Sequence, residues 1–182
     1  DENYDREVMQ LFTIGLTELD ADGTPRTAPD GSLLPTYGDA EITNFARVFT
    51  GWNYANATRW SFGRGAAGIP GHVESMRAIE AYHDTGAKTL LRGQSLAGGR
   101  TAAADLDDAL DNLANHPNVG PFLARHLIQR LVTSNPSPAY IGRVAAVFAD
   151  NGRGQRGDLA AVVRAVLLDA EARDPVIASG AD

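Results

Sequence analysis

The sequence predicts a mostly α-helical protein: a multi-helix, orthogonal or bundle-like domain with a small β-hairpin lobe and one long loop-rich insertion. Two observations carry this reading. Apolar residues recur at i, i+3, i+4 and i+7 in a series of segments separated by helix stop and start signals. The two stretches that break this rhythm, 16–37 and 51–100, are rich in glycine and turn dipeptides. A chain of 182 residues suits a single domain spanning 1–182, and it buries enough surface to fold without a disulfide or a metal.

The first helix is predicted from about Asn3 to Ile14, with Tyr4, Val8, Leu11 and Phe12 at helical spacing and Gly15 as its stop. The polar stretch that follows holds Asp22-Gly23 and Asp30-Gly31, two tight turns of an irregular hairpin lobe over 16–37. A second helix runs from Gly38 or Asp39 to Thr50. Its stripe is Ile42, Phe45, Ala46 and Phe49, and Asp39 and Glu41 lie in the first turn, where the helix dipole favours them.

Residues 51–100 form the long connection, within which Lys88–Leu91 reads as a short strand and His72–Ala81 as a short helix. From Thr101 the chain is plainly helical. A third helix uses Leu106, Ala109, Leu110 and Leu113 and ends at His116-Pro117. A fourth spans Val119–Val132. Ser137-Pro138 supplies an N-cap and first-turn proline to a fifth helix, and Asp158 caps a sixth.

Composition excludes several functions. The net charge of −7 and the absence of a basic run argue against nucleic acid as a partner. There is no cysteine, so thiolate metal sites, iron–sulfur clusters and cysteine nucleophiles are ruled out. No stretch has the apolar length of a membrane span, and no cofactor motif is present. The chain opens on Asp1-Glu2-Asn3-Tyr4 without an initiator methionine, which reads as a fragment of a longer protein.

The candidate site residues come from charges placed among apolar ones. In the fourth helix His126 and Arg130 fall inside the arc of Val119, Phe122, Leu123 and Leu127; in the first, Glu7 sits among Tyr4, Leu11 and Ile14. A charge withdrawn from water costs several kcal/mol unless it is paired. Glu7 is therefore expected to meet Arg130 or His126, either as a structural ion pair or as the floor of a polar pocket. Tyr82-His83-Asp84-Thr85-Gly86-Ala87-Lys88 is the second candidate. Asp84 there orients a histidine, binds a metal or makes a turn, the last with Gly86 at positive φ and a strand starting at Lys88.

Other signals are weaker. Trp52, Tyr54 and Trp60 suit either packing or stacking on a sugar or partner. Asp20 and Asp22 begin like a calcium loop, but Pro25 stands where its glycine belongs and the closing glutamate is missing, which leaves Asp20, Asp22 and Asp30 as weak candidates for an adventitious calcium. Gly93-Gln94-Ser95-Leu96-Ala97 resembles a serine nucleophile elbow but lacks its last glycine and the following helix.

Several segments together resemble an uncharacterised bacterial family, domain of unknown function 1800. They are Asn3–Leu11, Phe45-Ala46-Arg47-Val48-Phe49-Thr50-Gly51-Trp52, His83-Asp84-Thr85-Gly86-Ala87-Lys88-Thr89-Leu90, and the run from His116-Pro117 through Arg125 to Val132. The resemblance covers nearly the whole chain in order and implies the C-terminal part of a longer member. It also implies a periplasmic or extracellular location and a partner from a second family, numbered 1501, that resembles sulfatases. His126 departs from it, standing where that family is expected to carry lysine.

Two functions follow as expectations. The first is a non-catalytic secreted or periplasmic helical module that works with a partner protein or surface polymer. The alternative is a hydrolase-like enzyme whose cluster of Glu7, His83, Asp84, Arg125, His126 and Arg130 supplies a general base.

Overall fold

The computed structural model describes residues 2–55 and 74–174. Seven α-helices and two small antiparallel two-stranded sheets make up its regular structure among these residues, a mostly α fold with small β elements. The chain divides into two compact units, Asp1–Glu7 with Tyr37–Asn112, and Val8–Thr36 with Leu113–Asp182.

The first unit is organised around α2 (Asp39–Val48). Glu41 Oε2 accepts from Gly38 N at 2.8 Å, satisfying a backbone donor at the helix start. Ile42, Phe45, Ala46 and Val48 are buried, while Phe49 meets Tyr4 of α1 (Glu2–Glu7) edge to face at 5.2 Å. Gly51 then turns the chain at φ 87°, and a Cβ there would lie 3.1 Å from His83 N and 3.2 Å from Ile79 O. Both the dihedral and the close backbone demand glycine. Beyond it, β1 (Trp52–Asn53) pairs with β2 (Arg77–Ala78), in register Trp52↔Ala78.

The helix expected over 72–81 is absent across its described part, which is β2 followed by a 3-10 turn at Glu80–Tyr82. β3 (Lys88–Thr89) pairs with β4 (Ser95–Leu96), and Leu90 and Leu91 between them are buried. α3 (Ala102–Ala114) starts where Glu80 Oε2 accepts from Ala102 N at 3.1 Å.

The second unit begins with a π-helical turn, Val8–Thr13, directly after α1. The wider turn corrects the predicted face of the first helix. Residues Asp5, Met9 and Ile14 are buried, whereas Tyr4, Leu11 and Phe12 are exposed. The spacing becomes four and then five, and Ile14 N donates to Met9 O at 2.9 Å.

The lobe that follows is a meander with isolated antiparallel bridges at Thr17↔Pro35, Leu19↔Pro25 and Thr27↔Leu33. Its turns use Gly23 and Gly31 at positive φ. Asn118, buried ahead of α4 (Val119–Leu131), holds the lobe's base: Nδ2 donates to Ile14 O at 2.9 Å and Thr17 O at 2.7 Å, and Oδ1 accepts from Leu19 N at 2.9 Å.

α4, α5 (Pro138–Ala149) and α6 (Leu159–Leu168) form the packed core of this unit. The expected caps are present: Ser137 Oγ accepts from Tyr140 N and Asp158 Oδ1 accepts from Ala161 N. Tyr140, fully buried, donates its hydroxyl to Val166 O at 2.5 Å and ties α5 to α6. Asp169 caps a further short helix, α7 (Ala170–Arg173), beyond the six that the sequence predicts.

The buried stripe of α4 is also not the predicted one. Val119, Gly120, Pro121, Ala124 and Ile128 are buried, Phe122, Leu123 and Leu127 are half-buried, and His126 and Arg130 are exposed. Small residues set this face. A Cβ on Gly120 would lie 3.4 Å from Ala145 O, so its absence lets α4 approach α5 closely.

Asn118→Ala removes three hydrogen bonds and strands two carbonyls and an amide. It is expected to destabilise the protein by roughly 2–4 kcal/mol, read by urea denaturation.

Candidate functional site

Among the described residues, a dense polar arrangement lies inside the first unit and centres on Asp105. This residue occupies the inward face of α3, in line with the buried Ala102 and Ala109. Its side chain is 1% exposed and accepts from three donors. Lys88 Nζ lies 2.6 Å from Oδ2, Arg100 Nε 2.7 Å from Oδ1, and His83 Nε2 3.2 Å from Oδ2.

Lys88 is the only lysine in the chain. The alternation of β3 turns it inward and Thr89 outward. Its ammonium has three hydrogens and three acceptors: Asp84 O, Gly86 O at 3.0 Å and Asp105 Oδ2. Arg100 extends the cluster toward solvent, reaching Ala104 O at 2.9 Å and the carboxylate of Asp108.

His83 joins this cluster to the end of α2. Its Nδ1 lies 3.1 Å from Thr50 O and 3.3 Å from Thr50 Oγ1, and its side chain has no exposed surface. The Thr50 hydroxyl donates to Arg47 O at 2.6 Å and accepts from Asp84 N at 2.8 Å. Asp84 closes the ring of contacts through a two-pronged pair with Arg47, Nε to Oδ2 at 2.9 Å and Nη2 to Oδ1 at 3.1 Å.

The predicted turn at Asp84 is present, since Oδ1 also accepts from Gly86 N at 2.8 Å. Gly86 is not at positive φ as expected. Its role is spatial: a Cβ there would lie 2.4 Å from Arg47 Nη2. The Arg47 guanidinium and the Gly86 amide hold the Asp84 carboxyl down at about 2. For Asp105, burial works upward, but the hydrogen bonds from Lys88 and Arg100 prevail and hold it below the ordinary range.

Of the residues singled out from sequence, His83 and Asp84 belong to this cluster. Arg125, His126 and Arg130 lie in the second unit. Arg125 Nη2 donates to Gly23 O in the lobe at 2.5 Å. His126 donates from Nδ1 to Phe122 O at 2.8 Å within its own helix and rests on the Phe122 ring. Arg130 is exposed and Glu7 half-buried, so the expectation of two buried charges seeking each other is corrected.

The buried carboxylate of the first helix is instead Asp5. Neither of its oxygens has a hydrogen-bond partner among the described residues, and burial pushes its carboxyl up to about 6. Trp52 is half-buried on β1, its indole nitrogen buried and without a hydrogen-bond partner among the described residues; Tyr54 is exposed; Trp60 lies outside the described residues.

The three aspartates of the lobe have partners of their own. Asp22 Oδ1 accepts from Thr24 N, Asp30 Oδ1 accepts from the amide and hydroxyl of Ser32, and Asp20 lies 3.8 Å from Arg26. The carboxylates of Asp22 and Asp30 complete turns, that of Asp20 faces Arg26, and among the described residues no three His, Asp or Glu side chains are grouped to hold a metal. No helix among those residues is long and apolar enough to cross a membrane.

Sequence reasoning missed Asp105, Arg47, Thr50, Arg100 and the inward aim of Lys88. Asp105 was discoverable, for it interrupts the small apolar stripe of α3 just as Glu7 seemed to interrupt that of the first helix.

Fold and site together define a mainly helical protein whose main ion cluster is enclosed and internally satisfied. The chain matches the family described as a protein of unknown function (DUF1800) over residues 1–181, and it belongs to that family. Neither a curated protein nor a solved structure matches it.

Asp105→Asn leaves Lys88 buried without its counter-charge and is expected to cost about 3–5 kcal/mol in chemical denaturation. Asp84 gives a pH signature. Its folded value of about 2 lies below the ordinary 3.8, so its contribution is whole above 3.8 and is lost as pH falls through about 2. Stability measured over this window should fall for the wild type, with Asp84→Asn showing a shallower decline.

Proposed function

We propose that this chain is a non-catalytic helical module of an extracytoplasmic bacterial protein, acting through binding to a partner protein. One observation supports the reading above others. The most elaborate set of ionisable groups has Lys88, His83 and Asp105 side chains at most 1% exposed, with each donor already matched to an acceptor. A general base needs an accessible lone pair within reach of a substrate proton. Here the carboxylate lone pairs are spent on Lys88, Arg100 and His83, and the ammonium hydrogens on Asp84, Gly86 and Asp105.

Such a cluster organises the chain. It joins the end of α2, the turn before β3, β3 itself and α3 in one unit, and it makes their mutual positions specific. The family resemblance supports the extracytoplasmic setting and points to the sulfatase-like family as the first partner to test.

Co-expression of the parent protein with its sulfatase-like neighbour, followed by size-exclusion chromatography, is the direct test. A stoichiometric complex is expected, and separate elution would count against the partner. Turnover of ester, glycoside, phosphate-ester or sulfate-ester substrates, lost in a folded His83→Gln variant, would overturn the non-catalytic reading itself.

A further inference from the structure

The second unit carries an open groove of ≈ 590 Å³ along α5 and α6, remote in sequence from the ion cluster. Short side chains leave it. Val144 and Val147 from α5 and Ala161 and Ala165 from α6 line its floor. This volume is within the range of clefts that hold a single ligand.

Three arginines border the groove: Arg143 of α5, Arg153 of the glycine-rich loop 151–157, and Arg164 of α6. They are not equivalent. Arg143 is already engaged in a two-pronged pair with Asp169, both contacts at 2.8 Å. Arg164 is exposed and has no hydrogen bond or ion pair among the described residues. Arg153 is exposed as well, and its guanidinium acts on Asp158 only across space. Asp158 is itself occupied, with Asn151 Nδ2 at 2.7 Å and the Ala161 amide at 3.0 Å.

The groove therefore holds two guanidinium groups with unused donors on a chain whose net charge is −7. Guanidinium forks match carboxylates in a planar, two-pronged way. The lining has no aromatic side chain to stack on a sugar or a base, whereas its aliphatic floor suits branched apolar side chains.

From this we infer that the α5–α6 groove is a docking site for an acidic, aliphatic peptide segment of a partner protein, its carboxylates received by Arg153 and Arg164. The inference rests on the binding-module reading and names the surface that would serve it.

Fluorescence anisotropy with this chain tests it, using a labelled short peptide of alternating leucine and glutamate and a twin with lysine for glutamate. The acidic peptide should bind, weaken as salt is raised, and lose roughly tenfold in affinity for each of Arg153→Glu and Arg164→Glu. Both substitutions are at exposed positions, and an unchanged thermal melt would show that the fold is kept.

Equal binding of the lysine twin, or unchanged affinity in the double variant, would overturn the inference. So would tighter binding of a polyuronate than of the peptide, or complete displacement of the peptide by millimolar inorganic phosphate. Any of these results removes the groove but leaves the non-catalytic reading standing, since that reading falls only to turnover dependent on His83.

Discussion

Asp105 is the constraint on which the first unit depends. A carboxylate with no water access is tolerable only if its lone pairs are occupied, and three cationic or polar donors occupy them. Each donor has a further tie. Lys88 grips the carbonyls of the Asp84–Gly86 turn, His83 reaches the backbone at the end of α2, and Arg100 spans to Asp108. Removing Asp105 would leave Lys88 buried without its counter-charge. The cluster thereby links the end of α2, β3 and α3 through one buried carboxylate.

This arrangement explains why two of the segments that carried the family resemblance belong together. Arg47, Thr50 and Gly51 come from the end of α2; His83, Asp84, Gly86 and Lys88 come from the turn into β3. Arg47 pairs with Asp84, the Thr50 hydroxyl takes the Asp84 amide, and Gly51 leaves room for the His83 backbone. Glycine at 86 leaves room for the Arg47 guanidinium. The two segments act as halves of one clamp, each residue type set by what the other half requires.

The extents of α4, α5 and α6 and the caps at Ser137 and Asp158 were legible because capping and periodicity are local. The site was legible only in part. His83 and Asp84 stood out as polar residues in a turn, but their partners Arg47 and Asp105 lie 37 and 22 residues from Asp84 and His83 respectively, a pairing that periodicity does not encode. The search for charge inside an apolar stripe was sound in principle and misdirected in two helices. A π-helical turn over Val8–Thr13 breaks the α-helical period, so the buried positions run Asp5, Met9 and Ile14 and a stripe drawn through Glu7 does not follow them. In α4 the contact face is built from Gly120, Ala124 and Ile128, so a stripe drawn through the larger Phe122 and Leu123 was centred on the wrong side.

The two units use charge in opposite ways. In the first, ionised groups are turned inward and spent on one another, at a desolvation cost that only near-complete pairing offsets. In the second, the arginines of the α5–α6 groove remain at the surface: Arg143 is balanced by Asp169, while Arg164 and the guanidinium of Arg153 keep their donors. A buried, satisfied cluster has little left to offer a ligand, because every new contact must first break an existing one. Unspent donors over an aliphatic floor carry no such penalty. As a surface for recognition, the energetics favour the groove of α5 and α6 over the more conspicuous histidine and aspartates, whose chemistry is already consumed in holding the fold.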